Sequence, residues 1–308
     1  MADDTAHFVA RHDPDIPRDE LLEDIGERTS FLGALRESLV GRPGNLVSFA
    51  NEARALAGLS HLATPDTPEI VSYLRMMARA IAAAAARAIP GGGPVRIDLD
   101  GLGPIELPPA QELPIPLLQP RYIVDAYHAA FAVGDEPALA LLADAPIERL
   151  ARTPPSAQDR AYLLPHALGL QRVARGDVAG NRLLMDTVKG WESPSLVPAT
   201  RDYALFLVSP EAELALLHAQ SDHEPRAAGL PTFNEALCKA LVMHRRYWRD
   251  FEPNPGERVT RDPGGFIALG PLAWAAMRHY RGLPVGITSD YLPRSVIESR
   301  RVRSSGPA

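Results

Sequence analysis

The chain predicts an all-α protein of stacked antiparallel helix pairs, solenoid-like in outline, with one small β-hairpin near residues 95–107. Apolar residues recur at steps of three and four along most of the sequence, the spacing that gives a helix one apolar stripe. Prolines, glycines and capping residues bracket those stretches. Strand-like alternation is clear only once, between two proline-rich arms.

Three helices account for the first ninety residues, at about 17–40, 45–59 and 68–88. In the third, Thr67 is the expected N-cap, Pro68 the first helical residue and Glu69 an acid in the first turn. Pro90-Gly91-Gly92-Gly93 ends it. Residues 90–120 then hold eight of the 30 prolines, and between them Val95-Arg96-Ile97-Asp98-Leu99 alternates apolar with polar. Asp100-Gly101 supplies a turn and Ile105-Glu106-Leu107 returns, so a hairpin is expected there. This connector divides the chain into an N-terminal helical segment (1–89), the hairpin connector (90–119) and a C-terminal helical region (120–308), which can pack as one domain. From Pro120 onward helices are expected at about 121–133, 135–144, 156–175, 177–188, 200–207, 209–221, 232–249, 265–280 and 290–300. Units of some 35–40 residues fit stacked pairs, but no tetratricopeptide consensus is present.

The helix after Thr232 is the best defined. Thr232 and Glu235 fit a capping box, and Phe233, Ala236, Leu237, Ala240, Leu241, His244, Tyr247 and Trp248 share one face. Asn234, Glu235, Lys239, Arg245 and Arg249 fall outside it, with Glu235 placed to pair with Lys239. Prolines 253, 255 and 263 and glycines 256, 264 and 265 make a loop before a second apolar helix that stops at Gly282 and Pro284.

Composition narrows the function. A 308-residue chain, 46% hydrophobic and 23% charged, has material for one large or two small globular domains. The longest apolar run, around Ile81–Ala86, is far short of the roughly 20 residues that span a bilayer. Residues 1–20 carry no apolar segment of the secretory kind, and a lone Cys238 excludes an internal disulfide, so a cytoplasmic protein with no membrane partner is expected. Only two of the 32 basic residues are lysines, which reads as a coding bias more than a phosphate-binding adaptation, and the net charge of −6 argues against a nucleic-acid binder. Residues 1–30 hold nine acids against three arginines, so they alone account for that net charge. Glu20, Glu23, Asp24 and Glu27 form a single acidic helical stripe. It is either a solvated face near a helix N-terminus or a docking face for a basic partner.

Catalytic signatures are absent: no phosphate-binding Gly-x-x-x-x-Gly-Lys, no His-Glu-x-x-His and no Gly-x-Ser-x-Gly. Gly91-Gly92-Gly93 precedes a strand, the wrong order for a dinucleotide turn, and Asp98-Leu99-Asp100-Gly101 lacks the other ligands of a calcium loop. Among nine histidines, His218 and His223 stand five apart, with Asp222 and Glu224 flanking His223. A solvated loop is the plainer reading there, and metal binding the other. His244 reads as a core histidine, Cys238 as an isolated thiol without a base, and Tyr247, Trp248 and Trp274 as core aromatics that could also line a pocket. No catalytic residue, metal site or cofactor is expected.

One block carries a resemblance. Phe233, Asn234 and Glu235, then His244, Tyr247 and Trp248, precede Gly265, Phe266, Leu269, Gly270 and Pro271 within Gly-Phe-Ile-Ala-Leu-Gly-Pro-Leu-Ala. Asp290-Tyr291-Leu292-Pro293 closes it. This block resembles the immunity protein 49 family, antidotes of bacterial polymorphic toxins used in interbacterial competition. A weaker likeness covers Tyr122 to Leu150, with Asp125-Ala126-Tyr127-His128-Ala129-Ala130. The resemblance implies a toxin inhibitor rather than an enzyme, bound to one cognate toxin domain whose active site it occludes. If the acidic stripe docks that domain, the toxin is basic, as nucleases are. The motif residues themselves read as fold-holding, and the oligomeric state is open. An antidote enzyme that reverses the toxin's damage, or a general helical scaffold, are the rival readings.

Overall fold

The structure, a computed structural model, describes residues 7–100, 102–110, 118–150, 155–219, 231–252 and 259–299. It is predominantly α-helical, as expected. Helices α1 (Arg18–Ser38), α2 (Leu46–Ala63) and α3 (Glu69–Ala86) pack in sequence order. The hairpin of β2 (Val95–Leu99) and β3 (Gly103–Leu107) follows, antiparallel, with Val95 opposite Leu107 and Leu99 opposite Gly103. Its alternation is real: Val95, Ile97 and Leu99 are buried on α3 while Arg96 and Asp98 face out.

Helix α4 (Pro120–Val133) is the axis of the molecule. Every residue from Ile123 to Val133 is buried, because α3, α7 (Leu164–Ala174) and α12 (Leu269–Tyr280) all pack on it. The alanines Ala82–Ala86 of α3 are fully enclosed; side chains this small let neighbouring backbones come close. A single buried cluster runs from Leu32 on α1 through Leu99, Tyr127 and Trp274 to Val296 on α13 (Arg294–Ser299), on both sides of the hairpin. The shorter helices α5 (Glu136–Ala143), α6 (Ile147–Leu150), α8 (Gly180–Val188), α9 (Pro198–Tyr203) and α10 (Ser209–Ala219), with α11 (Phe233–Asp250), complete it.

Four local features differ from the sequence expectation. First, β1 (His7–Val9) pairs in parallel with β4 (Ile287–Ser289), bringing the N-terminal segment onto the far end of the chain. Three-residue strands have no visible period, and a pairing across 280 positions has no local signal. Second, α12 begins at Leu269, not near Phe266, because Phe266 to Ala268 leave the helix to bury Phe266 and to let the Ala268 N–H donate to the Tyr291 carbonyl. Third, Thr67 makes no side-chain cap: its hydroxyl donates to the Glu69 carboxylate instead. Fourth, Lys239 reaches Glu213 on α10 at 2.8 Å, while Glu235 closes the capping box on Thr232.

Two π turns have a common cause. Asp159–Leu163 runs into α7, and Ala204–Val208 into α10; in each the next N–H bonds a carbonyl five residues back. Each lies just ahead of a proline, Pro165 or Pro210, at the second position of the following α-helix. A proline ring clashes with the carbonyl four residues before it and donates no hydrogen bond, so the turn widens. Such π turns are often found at functional sites.

Candidate functional site

The motif residues build a junction between the two chain ends. The apolar stripe of α11 is buried as its spacing requires. Phe233 lies under the Arg278 guanidinium at 4.8 Å, and the Asn234 side-chain oxygen accepts from the Gly286 N–H at 3.3 Å. Tyr291 is fully enclosed; its hydroxyl accepts from the His12 N–H at 3.0 Å and lies 2.9 Å from His12 Nδ1. His12 Nε2 donates to the Thr260 carbonyl at 3.0 Å, which makes Nδ1 the acceptor of the Tyr291 proton. His61 donates to the Asp290 carbonyl at 2.7 Å, and the Asp290 carboxylate accepts from the Arg11 N–H at 3.2 Å. His244 is the satisfied core histidine expected, donating to the Gly265 carbonyl at 3.1 Å. Gly265 admits no side chain, since a Cβ there would stand 2.6 Å from the Trp248 ring. Leu269, Pro271, Leu292 and Pro293 are buried beside them. Burial pushes the His12 and His61 pKa values down, and that of His244 to about 3.

This junction walls a cavity of about 340 Å³, open to solvent. Tyr247, Trp248 and Leu269 come from the motif, and Arg54 of α2, Arg121 and Asp125 of α4, and Tyr203 add polar lining. Arg54 Nη1 donates to Asp125 at 2.6 Å. Tyr203 is pushed up to about 12 by burial and keeps its proton at neutral pH.

Beside the cavity, with Glu211 in its wall, stands a group that no local pattern predicted. His128 of α4, His166 of α7 and Glu211 of α10 each offer a ligand atom, and all three lie within 4.8 Å of one another. His128 Nδ1 is 3.8 Å from Glu211 Oε2, and the two imidazoles meet edge-on with centroids 5.5 Å apart. His128 and His166 are almost wholly buried, yet among the described residues His128 Nε2 and both His166 nitrogens find no hydrogen-bond partner. Burial, then Arg54, pushes the His128 pKa down to about 3, and burial, then His128, pushes His166 well below its ordinary value. Burial, then the nearby Asp125 charge, pushes the Glu211 carboxyl well up. Leaving a buried polar atom unpaired costs about 1–3 kcal/mol.

The π turns aim two of these groups. His166 directly follows Pro165 and Glu211 directly follows Pro210, so each heads the first turn after a widened one. The motif supplies clearance: a Cβ on Gly270 would stand 2.3 Å from the Glu211 carboxyl carbon. Glycine at 270 is thus what allows Glu211 to lie against the start of α12.

The remaining expected residues lie elsewhere. Glu20, Glu23 and Glu27 are exposed on α1 and Asp24 is half-buried. Glu20 pairs with Arg261 at 3.0 Å and Asp24 with Arg28 at 2.6 Å. Among the described residues Glu23 and Glu27 make no ion pair, and Phe31, half exposed, continues their stripe. His218 is buried against Trp274, with ring centroids 5.2 Å apart, while Asp222, His223 and Glu224 lie outside the described residues. Cys238 is a free, half-buried thiol. Trp274 is pure core, whereas Tyr247 and Trp248 are both core and cavity wall.

Residues 64–296 match the family described as immunity protein 49. The chain belongs to that family. Searches of curated proteins and of solved structures returned no match. The matched span includes the motif side of the junction, though not Arg11, His12 or His61, together with α4, α7 and α10, so the whole His128–His166–Glu211 group lies inside the family region of this immunity protein. Helix α1 and Arg54 lie outside it. Among the described residues no helix is long and apolar enough to cross a membrane. The sequence held one overlooked signal for the site: two prolines inside helical stretches, each followed directly by a metal-binding residue type.

Proposed function

We propose that this immunity protein acts in the cytoplasm by binding one cognate toxin domain and covering its active site, without turning over a substrate. The family match over residues 64–296 carries the reading. The docking face is the outer side of α1, where Glu20, Glu23, Asp24 and Glu27 share a stripe with Phe31. An aromatic side chain among acids has the make-up of an anchor within a steering field. Its place ahead of residue 64 suits a surface that distinguishes one toxin from another, since the shared scaffold starts later. The complementary toxin surface is basic, as in a nuclease. A lasting complex buries roughly 1,200–2,000 Å² in total, more than α1 alone presents, so neighbouring surface joins it.

Survival of cells expressing the toxin domain encoded beside this chain, with and without the chain, tests the role. Rescue by the wild type, lost when Glu20, Glu23 and Glu27 are changed to Lys and Phe31 to Ala, supports both the role and the face. Rescue that survives those changes removes the face. No rescue by soluble, folded protein against active toxin removes the role.

A further inference from the structure

We propose that His128, His166 and Glu211 form a binding site for a zinc-class divalent cation, with an open coordination position facing the cavity. Three observations carry this. The ligand atoms of the three side chains converge within 4.8 Å although the residues come from three separate helices. The imidazoles are almost entirely buried, and among the described residues neither His166 nitrogen has a hydrogen-bond partner, while His128 Nδ1 faces Glu211. The fold also spends two π turns and a side-chain-free Gly270 on placing His166 and Glu211 there.

Chemistry selects the ion. Calcium and magnesium prefer oxygen ligands, whereas two imidazoles and a carboxylate suit zinc and its transition-metal neighbours. Around a tetrahedral zinc, with metal–ligand bonds near 2.0–2.1 Å, ligand atoms stand about 3.3 Å apart. His128 Nδ1 and Glu211 Oε2, at 3.8 Å, are close to that spacing, and the three ligand atoms, within 4.8 Å of one another, must draw in by up to about 1.5 Å around an ion. A closed structural zinc site takes four protein ligands; a site with three leaves room for one more donor. Here the room lies toward the cavity, because Glu211 lines it and its side chain stays 17% exposed. The Arg54–Asp125 pair beside it is positioned to hold a polar occupant. The other occupant of such a polar void is an ordered water, which would bind no metal.

The full chain, stripped with chelator and dialysed, is titrated with Zn²⁺ and with Co²⁺, following heat and the visible cobalt spectrum. The expected result is one metal per chain, a melting temperature raised by Zn²⁺, and a cobalt spectrum that Zn²⁺ displaces and azide shifts. His166→Gln and Glu211→Gln should each weaken binding at least about a hundredfold, since even outer-shell losses cost ten- to a hundredfold. His279→Gln, a histidine away from the cavity, should leave it unchanged. Folded wild-type protein that takes up neither metal overturns the site. So does binding that persists in both glutamine variants. A cobalt spectrum indifferent to azide overturns the open position. Toxin is absent from these measurements, so they stand or fall apart from the protection assay.

Discussion

Two histidine-rich regions each give one residue, His244 and Glu211, to the wall of the same cavity, and they are built in opposite ways. In the junction, His12, His61 and His244 each place at least one ring nitrogen on a partner, and His12 places both. In the second group, among the described residues, His166 places neither. The first arrangement holds the chain ends together; the second forgoes hydrogen bonds that a core would normally demand. A sequence motif can therefore mark scaffold, while the chemically unusual group sits behind it on residues far apart in the chain.

Substitutions should separate the two. Trp274→Ala, at a fully enclosed position on α12, should cost the most, about 3–5 kcal/mol, read as a shift of the denaturant midpoint. Acidification comes next. The folded-state pKa values of His12, His61 and His244 are depressed, so below about pH 6.5 the unfolded chain takes up protons that the folded one refuses. Their contribution is present above that pH and is lost as pH falls toward the folded values, near 3 for His244. From pH 7 to 6 His244 alone should lose about 0.7 kcal/mol, with His12, His61, His128 and His166 adding in the same direction, measured by denaturation at each pH with chelator present. Glu211, with its pKa raised, works in the opposite sense, so Glu211→Gln should steepen the loss.

Gly270→Ala joins the regions. Its Cβ must displace the Glu211 carboxylate, so stability should fall by about 1–3 kcal/mol and Zn²⁺ binding should fail with it. The smallest effect has the reverse sign. His166→Leu in metal-free protein removes two unpartnered buried nitrogens and should raise stability by about 1 kcal/mol. Destabilisation there would place His166 with the scaffold and erase the contrast.

Much of the scaffold could be read directly. The α11 stripe, its capping box, the hairpin alternation and the central helix from Pro120 all follow from local spacing. The β1–β4 pair could not, because parallel three-residue strands 280 positions apart leave no period to detect. Nor could the His128–His166–Glu211 group, since its members are 38 and 45 residues apart on three helices and meet only through tertiary packing. His218, five positions before His223 in sequence, is a core residue on Trp274. Proximity along a chain ranks metal ligands well only when they share one helix or loop.

The central claim is inhibition by contact, and the most direct measurement combines mass and activity on one sample. The purified chain is mixed with the active toxin domain encoded beside it, passed through size exclusion with light scattering, and the eluted toxin is assayed. The account predicts a single stoichiometric complex with silent toxin, and separate, active toxin when Glu20, Glu23, Glu27 and Phe31 are all replaced. Toxin silenced without forming a complex, or a stable complex that remains fully active, would contradict it.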